Sequence, residues 1–128
     1  MIQIIKRYFT DRDERGKFEG LINFGNWKEF NIVETNANVI RGNHYHKKTK
    51  EVFIILEGLV KVTVQNIVKN KLTGDTEEKV LKSGDVILIE PFINHIFYTL
   101  EKSKWINILS HSIQKDSPDI YRSIGEVI

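Results

Sequence analysis

Short apolar runs recur along this chain, and polar clusters rich in Gly, Asn, Asp and Lys separate them. Several runs alternate apolar and polar residues, which is typical of strands with one buried face, and others are apolar throughout. Many short strands at near-regular spacing favour a β-sandwich or barrel. The predicted strands are 20–23, 28–34, 38–41, 51–56, 59–68, 77–81, 85–90, 95–100 and 105–110.

Turn residues punctuate this pattern. Glycine-containing turns at 57–58 and 83–85 separate apolar runs, and the polar stretch 69–75 is predicted to be an exposed hairpin tip. Only 117–122, which begins Ser-Pro, is predicted to form a helical turn, because serine caps helices and proline suits their first position. No repeat, linker or low-complexity segment interrupts the chain, so residues 1–128 are predicted to form a single domain.

Composition narrows the possible functions. A net charge of +2 with scattered lysines gives no basic stripe, so nucleic acid is not an expected partner. The chain has no cysteine, which excludes disulfides, thiolate metal sites and thiol nucleophiles. No window approaches the ~20 apolar residues of a membrane helix. The first residues also lack the features of a signal peptide, so we expect a cytoplasmic protein with no membrane partner.

Three of the four histidines and one glutamate occur beside turn residues at strand ends. His44 and His46 are two residues apart on an extended segment, so their imidazoles point to the same face. Glu51 opens a strand that is otherwise apolar, where a carboxylate needs a cation, metal or hydrogen-bond donor. His95 follows another apolar strand, and His111 lies outside the pattern. We expect His44, His46, Glu51 and His95 to meet in space.

Each element also has a simpler interpretation. A His-x-His pair is often a surface pair, a strand-opening glutamate is usually solvated, and a single histidine after a proline turn is usually structural. Their combination at the ends of several strands favours a site.

Those residues resemble the two cupin motifs. The first motif, Gly-x5-His-x-His-x3–4-Glu-x6-Gly, is matched at His44, His46, Glu51 and Gly58, although its leading glycine is replaced by Asn38. The second, Gly-x5-Pro-x-Gly-x2-His, is matched more loosely at Gly84, Pro91 and His95, and its internal glycine is absent. The resemblance implies a double-stranded β-helix, or jelly roll, with the motif residues at the barrel mouth.

The flanks resemble those of sugar-nucleotide cupins. The segment 13–18 is similar to the Asp-x-Arg-Gly segment of dTDP-sugar epimerases and 3,4-ketoisomerases, and Arg41-Gly-x-His-x-His-Lys-Lys looks like the ketoisomerases. The segment 42–46, Glu51 and the segment 117–121 are similar to the C-terminal cupin domain of bifunctional capsular-polysaccharide synthesis enzymes. The resemblance implies an isomerase or epimerase acting on a dTDP- or UDP-linked 4-keto-6-deoxyhexose.

This resemblance implies roles for particular side chains. Such enzymes remove a proton next to a ketone, which needs a base and a positive group or donor at the developing oxyanion. His44 or His46 is the expected base or acid, and Tyr45 or Tyr98 is the candidate donor to the oxygen. The expected substrate-binding residues are Arg41, Arg15 and Lys48, with the Arg41 guanidinium on the diphosphate.

The same resemblance does not decide whether the site binds a metal ion or which metal it would be. A set of three histidines and one glutamate suits Zn, Fe, Mn or Ni. The ketoisomerase relatives work without metal, whereas the capsule-type cupin resembles a zinc-holding one. We expect a divalent ion at His44, His46, Glu51 and His95, and no organic cofactor.

Other expectations are a homodimer and a separate reductase or aminotransferase in the pathway. Two other functions stay open. One is a metal-dependent oxygenase or small-molecule isomerase, and the other is a cupin that binds sugar or metal without catalysis.

Overall fold

The computed structural model describes residues 1–123 as antiparallel strands joined by turns and irregular segments, with no helix in that range. The predicted all-β class is therefore confirmed. The eleven strands are β1 (Gln3–Ile4), β2 (Phe9–Asp13), β3 (Gly16–Gly20), β4 (Glu29–Thr35), β5 (Ile40–His44), β6 (Glu51–Glu57), β7 (Leu59–Val68), β8 (Lys71–Lys82), β9 (Val86–Ile89), β10 (Ile93–Thr99) and β11 (Ser103–Leu109).

Two sheets form the jelly roll that the sequence predicted. The five-stranded sheet has the order β1-β9-β6-β11-β4, and the four-stranded sheet has the order β5-β10-β7-β8. Strands β2 and β3 pair only with each other and form a separate hairpin. Strands adjacent in space are often distant in sequence, so each sheet collects residues from several parts of the chain.

Alternate residues of the central strands fill the space between the two sheets. On β7, Val60, Val62 and Val64 are buried, and they pack with residues such as Ile55 and Ile87 from the opposite sheet. Each such side chain contributes roughly 1.5–3 kcal/mol relative to an exposed position. This apolar packing fixes the strands whose ends carry the histidines.

A second apolar cluster lies on the other face of the five-stranded sheet. It contains Val52, Leu88 and Ile108, which alternate with the residues that face the barrel. Leu21 and Trp27, from the segment between β3 and β4, pack against it. That segment therefore covers part of the sheet without joining it.

Gly58 closes the tight turn between β6 and β7. Its φ is 98°, and a Cβ there would lie 2.6 Å from the Lys102 carbonyl oxygen and 2.7 Å from Ser103 Cα. Only glycine adopts this backbone without strain and leaves room for the neighbouring chain. The turn carries the chain from the five-stranded sheet to the four-stranded sheet.

Several sequence predictions of local structure were wrong. The predicted strand 20–23 ends at Gly20, because the next residues leave the hairpin for the outer apolar cluster. The predicted tip 69–75 is mostly part of β8, and the turn is limited to Lys69 and Asn70, both with positive φ. The sequence pattern also missed β1, β2 and most of β3.

The predicted helical turn at 117–122 is also wrong. Tyr121 instead forms an antiparallel bridge with Tyr45, and two backbone hydrogen bonds join the pair at 2.9 and 3.0 Å. This backbone pairing competes with helix formation.

Residues 1–123 contain no helix of the length and apolarity that crossing a bilayer requires. The single domain over 1–128 stays a prediction, and its residues 124–128 lie outside the described range.

Candidate functional site: a histidine and glutamate cluster at the barrel mouth

A close approach of β5 to β10 places the first histidine. His44 lies opposite His95 in this pair, and the register shifts between His95 and Ile96. Gly42 and Asn43 have φ of 87° and 62°, and a Cβ on Gly42 would lie 2.7 Å from the His95 carbonyl oxygen. Glycine therefore allows the backbones to come close enough for the two imidazoles to meet.

The four side chains meet at one point inside the barrel mouth. Ring centroids are 4.8 Å apart for His44 and His95, 5.0 Å for His44 and His46, and 5.2 Å for His46 and His95. The Oε1 atom of Glu51 contacts His46 Nε2 and lies 3.8 Å from His95 Nε2. One possible ligand atom from each residue lies within 4.8 Å of the others. The expected convergence is therefore present.

Hydrogen bonds to neighbouring residues fix two of the histidine rings and the Glu51 carboxylate. The Nδ1 atom of His46 lies 2.5 Å from the carbonyl oxygen of Asp119, and that of His95 lies 3.1 Å from the carbonyl oxygen of Ile93. A carbonyl only accepts, so each Nδ1 carries a proton and each Nε2 faces the cluster. Asn107 Nδ2 donates to Glu51 Oε2 at 2.9 Å.

One contact in the cluster joins His46 Nε2 and Glu51 Oε1, two atoms that can both accept a hydrogen bond. His46 Nε2 is buried and forms no well-aligned hydrogen bond within residues 1–123, yet it touches Glu51 Oε1. A ring nitrogen without a proton and a carboxylate oxygen are both acceptors and repel each other. A proton on His46 Nε2 removes this repulsion, because the ring then donates to the carboxylate. The donor set and its outer hydrogen bonds would also suit a divalent metal ion.

The pKa shifts divide the cluster into charged and neutral members. Burial lowers the pKa of His44 to about 4, and charge on His95 and His46 adds to this effect. Burial also lowers the pKa of His95. Burial opposes charge on His46, but the Glu51 carboxylate outweighs it and raises the pKa of His46. Burial would raise the pKa of Glu51, but mainly His46 and His95 lower it to about 2. In the metal-free protein, neutral His44 and His95 therefore lie beside a His46–Glu51 ion pair.

The cluster opens into a pocket of about 250 Å³. Its floor is aromatic, because Phe53, Phe97 and Trp105 occupy the next inward positions on β6, β10 and β11. Phe53 and Phe97 have ring centroids 4.5 Å apart. The pocket thus joins titratable groups on one side to a rigid apolar surface on the other.

Both candidate tyrosines lie outside this pocket. Tyr45 alternates with His44 and His46, so its ring points the other way, is 1% exposed and donates its hydroxyl to Asn70 at 2.9 Å. The hydroxyl of Tyr98 donates to Asn38 at 3.1 Å. Neither side chain lines the pocket, so this geometry gives no support to donation by Tyr45 or Tyr98 to the reacting oxygen, which stays a prediction.

Of the expected substrate-binding residues, only Arg41 lines the pocket. Its Nε donates to Thr35 Oγ1 at 2.6 Å and its Nη2 to the Glu34 carbonyl at 3.1 Å. Arg15 lies on the β2–β3 hairpin and pairs with Asp13 at 2.6 Å. Lys48 lines a separate outer groove. The structure therefore does not gather these three cations.

Sequence reasoning missed the segment that closes the pocket. Pro118, Asp119 and Ile120 line it, together with Ser112 and Ile113. We call residues 118–122 the clamp, because they attach to the segment 42–49 through several hydrogen bonds. The sequence signal was the likeness of 117–121 to capsule-type cupins, which gave no role to Asp119.

Comparisons with known proteins agree with this geometry. The chain is 25% identical over 119 residues to UDP-2-acetamido-2,6-beta-L-arabino-hexul-4-ose reductase of Pseudomonas aeruginosa, covering 89% of this chain and 31% of that protein. The chain thus spans about a third of the length of this curated relative.

Two solved structures share the fold. QdtA, a sugar 3,4-ketoisomerase from Thermoanaerobacterium thermosaccharolyticum in complex with TDP, has a TM-score of 0.73 and 18% identity, covering 96% of this chain and 88% of its own. The capsular polysaccharide assembling protein CapF from Staphylococcus aureus has a TM-score of 0.68 and 18% identity, covering 90% of this chain and 31% of its own.

The chain also matches the family described as polysaccharide biosynthesis C-terminal domain over residues 11–121. The jelly roll, with three histidines and one glutamate at its mouth, is the fold of the cupins. The chain belongs to the polysaccharide biosynthesis C-terminal domain family.

Proposed function

We propose that this protein is a sugar-nucleotide isomerase or epimerase that acts on a dTDP- or UDP-linked 4-keto-6-deoxyhexose in surface polysaccharide biosynthesis. Its family and the fold it shares with a TDP-bound ketoisomerase support this proposal. The observation that carries it is the His44 imidazole, which is neutral and lines a pocket with an aromatic floor.

The proposed reaction begins with removal of a proton beside a ketone. The 4-keto group acidifies the C3 hydrogen, and a base takes this proton while the electron pair of the C–H bond forms an enolate. Return of the proton to C3 from the other face is epimerisation. Transfer through an enediol, so that the carbonyl moves to C3, is ketoisomerisation. Both outcomes need a base and a positively charged or hydrogen-bonding group at the oxygen.

His44 is the base that this geometry favours. Its depressed pKa keeps it neutral at pH 7, and its ring forms no hydrogen bond within residues 1–123, so a ring nitrogen is available for a proton. His46 is held by Glu51 and Asp119 in the charged form. Its positive charge stabilises the developing enolate within the same pocket.

The pocket is too small for a whole nucleotide sugar. Sites for drug-sized ligands usually measure about 300–1,000 Å³, so a pocket of about 250 Å³ holds the sugar alone. The diphosphate then lies at the rim, where Arg41 can bind it through the guanidinium N–H groups that Thr35 and Glu34 do not use. Arg15 and Lys48 would contact only the nucleotide portion, outside the pocket.

A bound divalent ion is a separate proposal. His44, His46, Glu51 and His95 would hold Zn, Fe, Mn or Ni, since their donor atoms converge and His46 and His95 have correctly oriented tautomers. When bound, such an ion supplies Lewis-acid polarisation of a substrate oxygen. It would also occupy the His44 nitrogen, so ion binding and the base role compete for that residue.

Hydrogen exchange tests the proposed reaction. The protein is incubated with dTDP- or UDP-4-keto-6-deoxyglucose in deuterated water, and NMR measures deuterium at C3 of a 4-keto sugar and at C4 of a 3-keto product. We expect incorporation with the wild type, loss of at least about a hundredfold in His44→Gln, and no change in the control Tyr98→Phe. Absence of exchange, with oxygen consumption on some substrate, would favour an oxygenase instead.

Metal analysis of protein purified without added metal tests the second proposal. We expect one ion per chain, which His44→Gln and His95→Gln should remove. Comparing exchange in chelated and Zn-loaded protein then decides whether His44 acts as a base or as a ligand, because the base role predicts slower exchange with Zn.

A further inference from the structure

The carboxylate of Asp119 organises the backbone that follows the second histidine. Its oxygens accept hydrogen bonds from the backbone N–H groups of Lys47, Lys48 and Thr49 at 2.9, 2.8 and 2.9 Å, and from Thr49 Oγ1 at 2.9 Å. Asp119 lies about 70 positions away in the sequence. Four donors on one carboxylate satisfy amides that would otherwise need water in a partly buried turn.

The same residue also contacts the His46 ring. The Asp119 carbonyl oxygen lies 2.5 Å from His46 Nδ1. One residue thus fixes both the turn after His46 and the orientation of its imidazole. With Nδ1 bonded to this carbonyl, Nε2 is directed toward Glu51.

The neighbours of Asp119 hold the clamp in place. Tyr121 pairs with Tyr45 through two backbone hydrogen bonds, and Arg122 Nη1 donates to the Asn43 carbonyl at 2.7 Å. Lys47 Nζ lies 4.2 Å from the centroid of the Tyr121 ring. These contacts involve residues before and after His46 in the sequence, so the clamp fixes the segment that contains His46.

We infer that Asp119 is a positioning residue for the histidine cluster, acting through His46, and that the clamp orients this ring for the chemistry of the pocket. This inference rests on the proposed function only where it is tested by a catalytic measurement. The orientation of His46 can be measured without any substrate.

The substrate-free test observes the Nδ1 proton of His46 by long-range ¹H–¹⁵N NMR of histidine-labelled protein, with His46→Asn for assignment. In the wild type we expect a resolved Nδ1–H signal that is protected from exchange with water. In Asp119→Ala this signal should be lost. The matched control is Asp116→Ala, an exposed aspartate three positions earlier in the same segment, which should retain it. A retained signal in Asp119→Ala would overturn the inference.

Thr49 provides a graded series with little risk of misfolding. Thr49→Ala removes one of the four hydrogen bonds to Asp119, and Thr49→Ser keeps the hydroxyl. We expect C3 exchange to fall about tenfold or more in Asp119→Ala, since small misplacements of a reacting group are costly. The fall in exchange should be smaller in Thr49→Ala and absent in Thr49→Ser. In the affected variants kcat should decrease, whereas KM should stay unchanged.

The two readouts separate the inference from the proposed function. If the wild type shows no exchange with either nucleotide sugar, the proposed function is contradicted, and the His46 signal still decides the role of Asp119. If Asp119→Ala does not fold, Thr49→Ala against Thr49→Ser takes its place. Equal spectra and rates in those two variants would then overturn the inference.

Discussion

The mouth and the floor of this barrel lie on the same strands but are held together by different interactions. At the mouth, β6, β10 and β11 contribute Glu51, His95 and Asn107. Two positions away on the same strands lie the aromatic floor residues Phe53, Phe97 and Trp105. Floor residues contact many apolar neighbours. Mouth residues depend on one or two defined polar partners each.

This difference teaches how each region responds to change. The floor is stabilised by apolar area and close packing, so similar volumes are exchangeable there. The mouth contains buried charges whose cost is offset only by one another, so removal of one partner leaves the others uncompensated. Substitutions at the floor should therefore report the effect of side-chain volume, and substitutions at the mouth the effect of charge and hydrogen bonding.

The largest effect is expected at the floor. Phe97→Ala should lower the free energy of unfolding by about 4 kcal/mol, because it leaves a cavity beside Phe53 and Trp105. Phe97→Leu should cost only about 1.5 kcal/mol. Urea unfolding measures both, and the exposed Phe30→Ala is the control. Equal losses for the alanine and leucine variants would contradict a floor that depends on volume.

At the mouth, Glu51→Ala should lower the free energy of unfolding of chelated protein by about 3 kcal/mol, since it leaves His46 without its partner. Glu57→Ala, at the exposed end of the same strand, is the matched control and should change it by less than about 0.5 kcal/mol. A loss at Glu51 no greater than the control would mean that the ion pair is not formed.

Asn107 tests the dependence of one polar group on another. Asn107→Ala removes a hydrogen bond to a charged carboxylate and should cost about 2 kcal/mol. In the double variant with Glu51→Ala, most of that cost should disappear, because the acceptor is already absent. Additive losses in this urea double-mutant cycle would argue against a coupled mouth.

The smallest effect is expected at Tyr45. Tyr45→Phe removes the hydroxyl that donates to Asn70 and should cost about 1 kcal/mol, with C3 exchange unchanged. A tenfold slower exchange with normal stability would instead support Tyr45 as a catalytic candidate.

Much of the fold and of the cluster could be predicted because both depend on two-residue alternation. That alternation placed His44 and His46 on one face and identified Glu51 as an inward residue of an apolar strand. It also places Tyr45 on the opposite face, so the sequence pattern itself predicts that this ring points away from the two histidines. The β2–β3 hairpin was missed because its residues are mostly exposed on both faces, so no buried side marks it.

Asp119 could not be predicted from such a pattern. It lies in an irregular segment, and its partners are backbone amides about 70 residues earlier, which carry no sequence signature. Arg15 shows the converse. The sequence motif that contains Arg15 was recognised. However, Arg15 lies on the β2–β3 hairpin, where it pairs with Asp13, and it does not line the pocket.

The clamp also has a consequence for biosynthesis. The chain emerges from the ribosome N-terminus first, and early segments can begin to fold while later ones are still being synthesised. The cluster histidines precede Asp119 by 24 to 75 positions, so a nascent chain can pair most of its strands before the residue that orients His46 emerges. The orientation of His46 should therefore be acquired only after Asp119 has emerged, so products that stop before this residue would lack it.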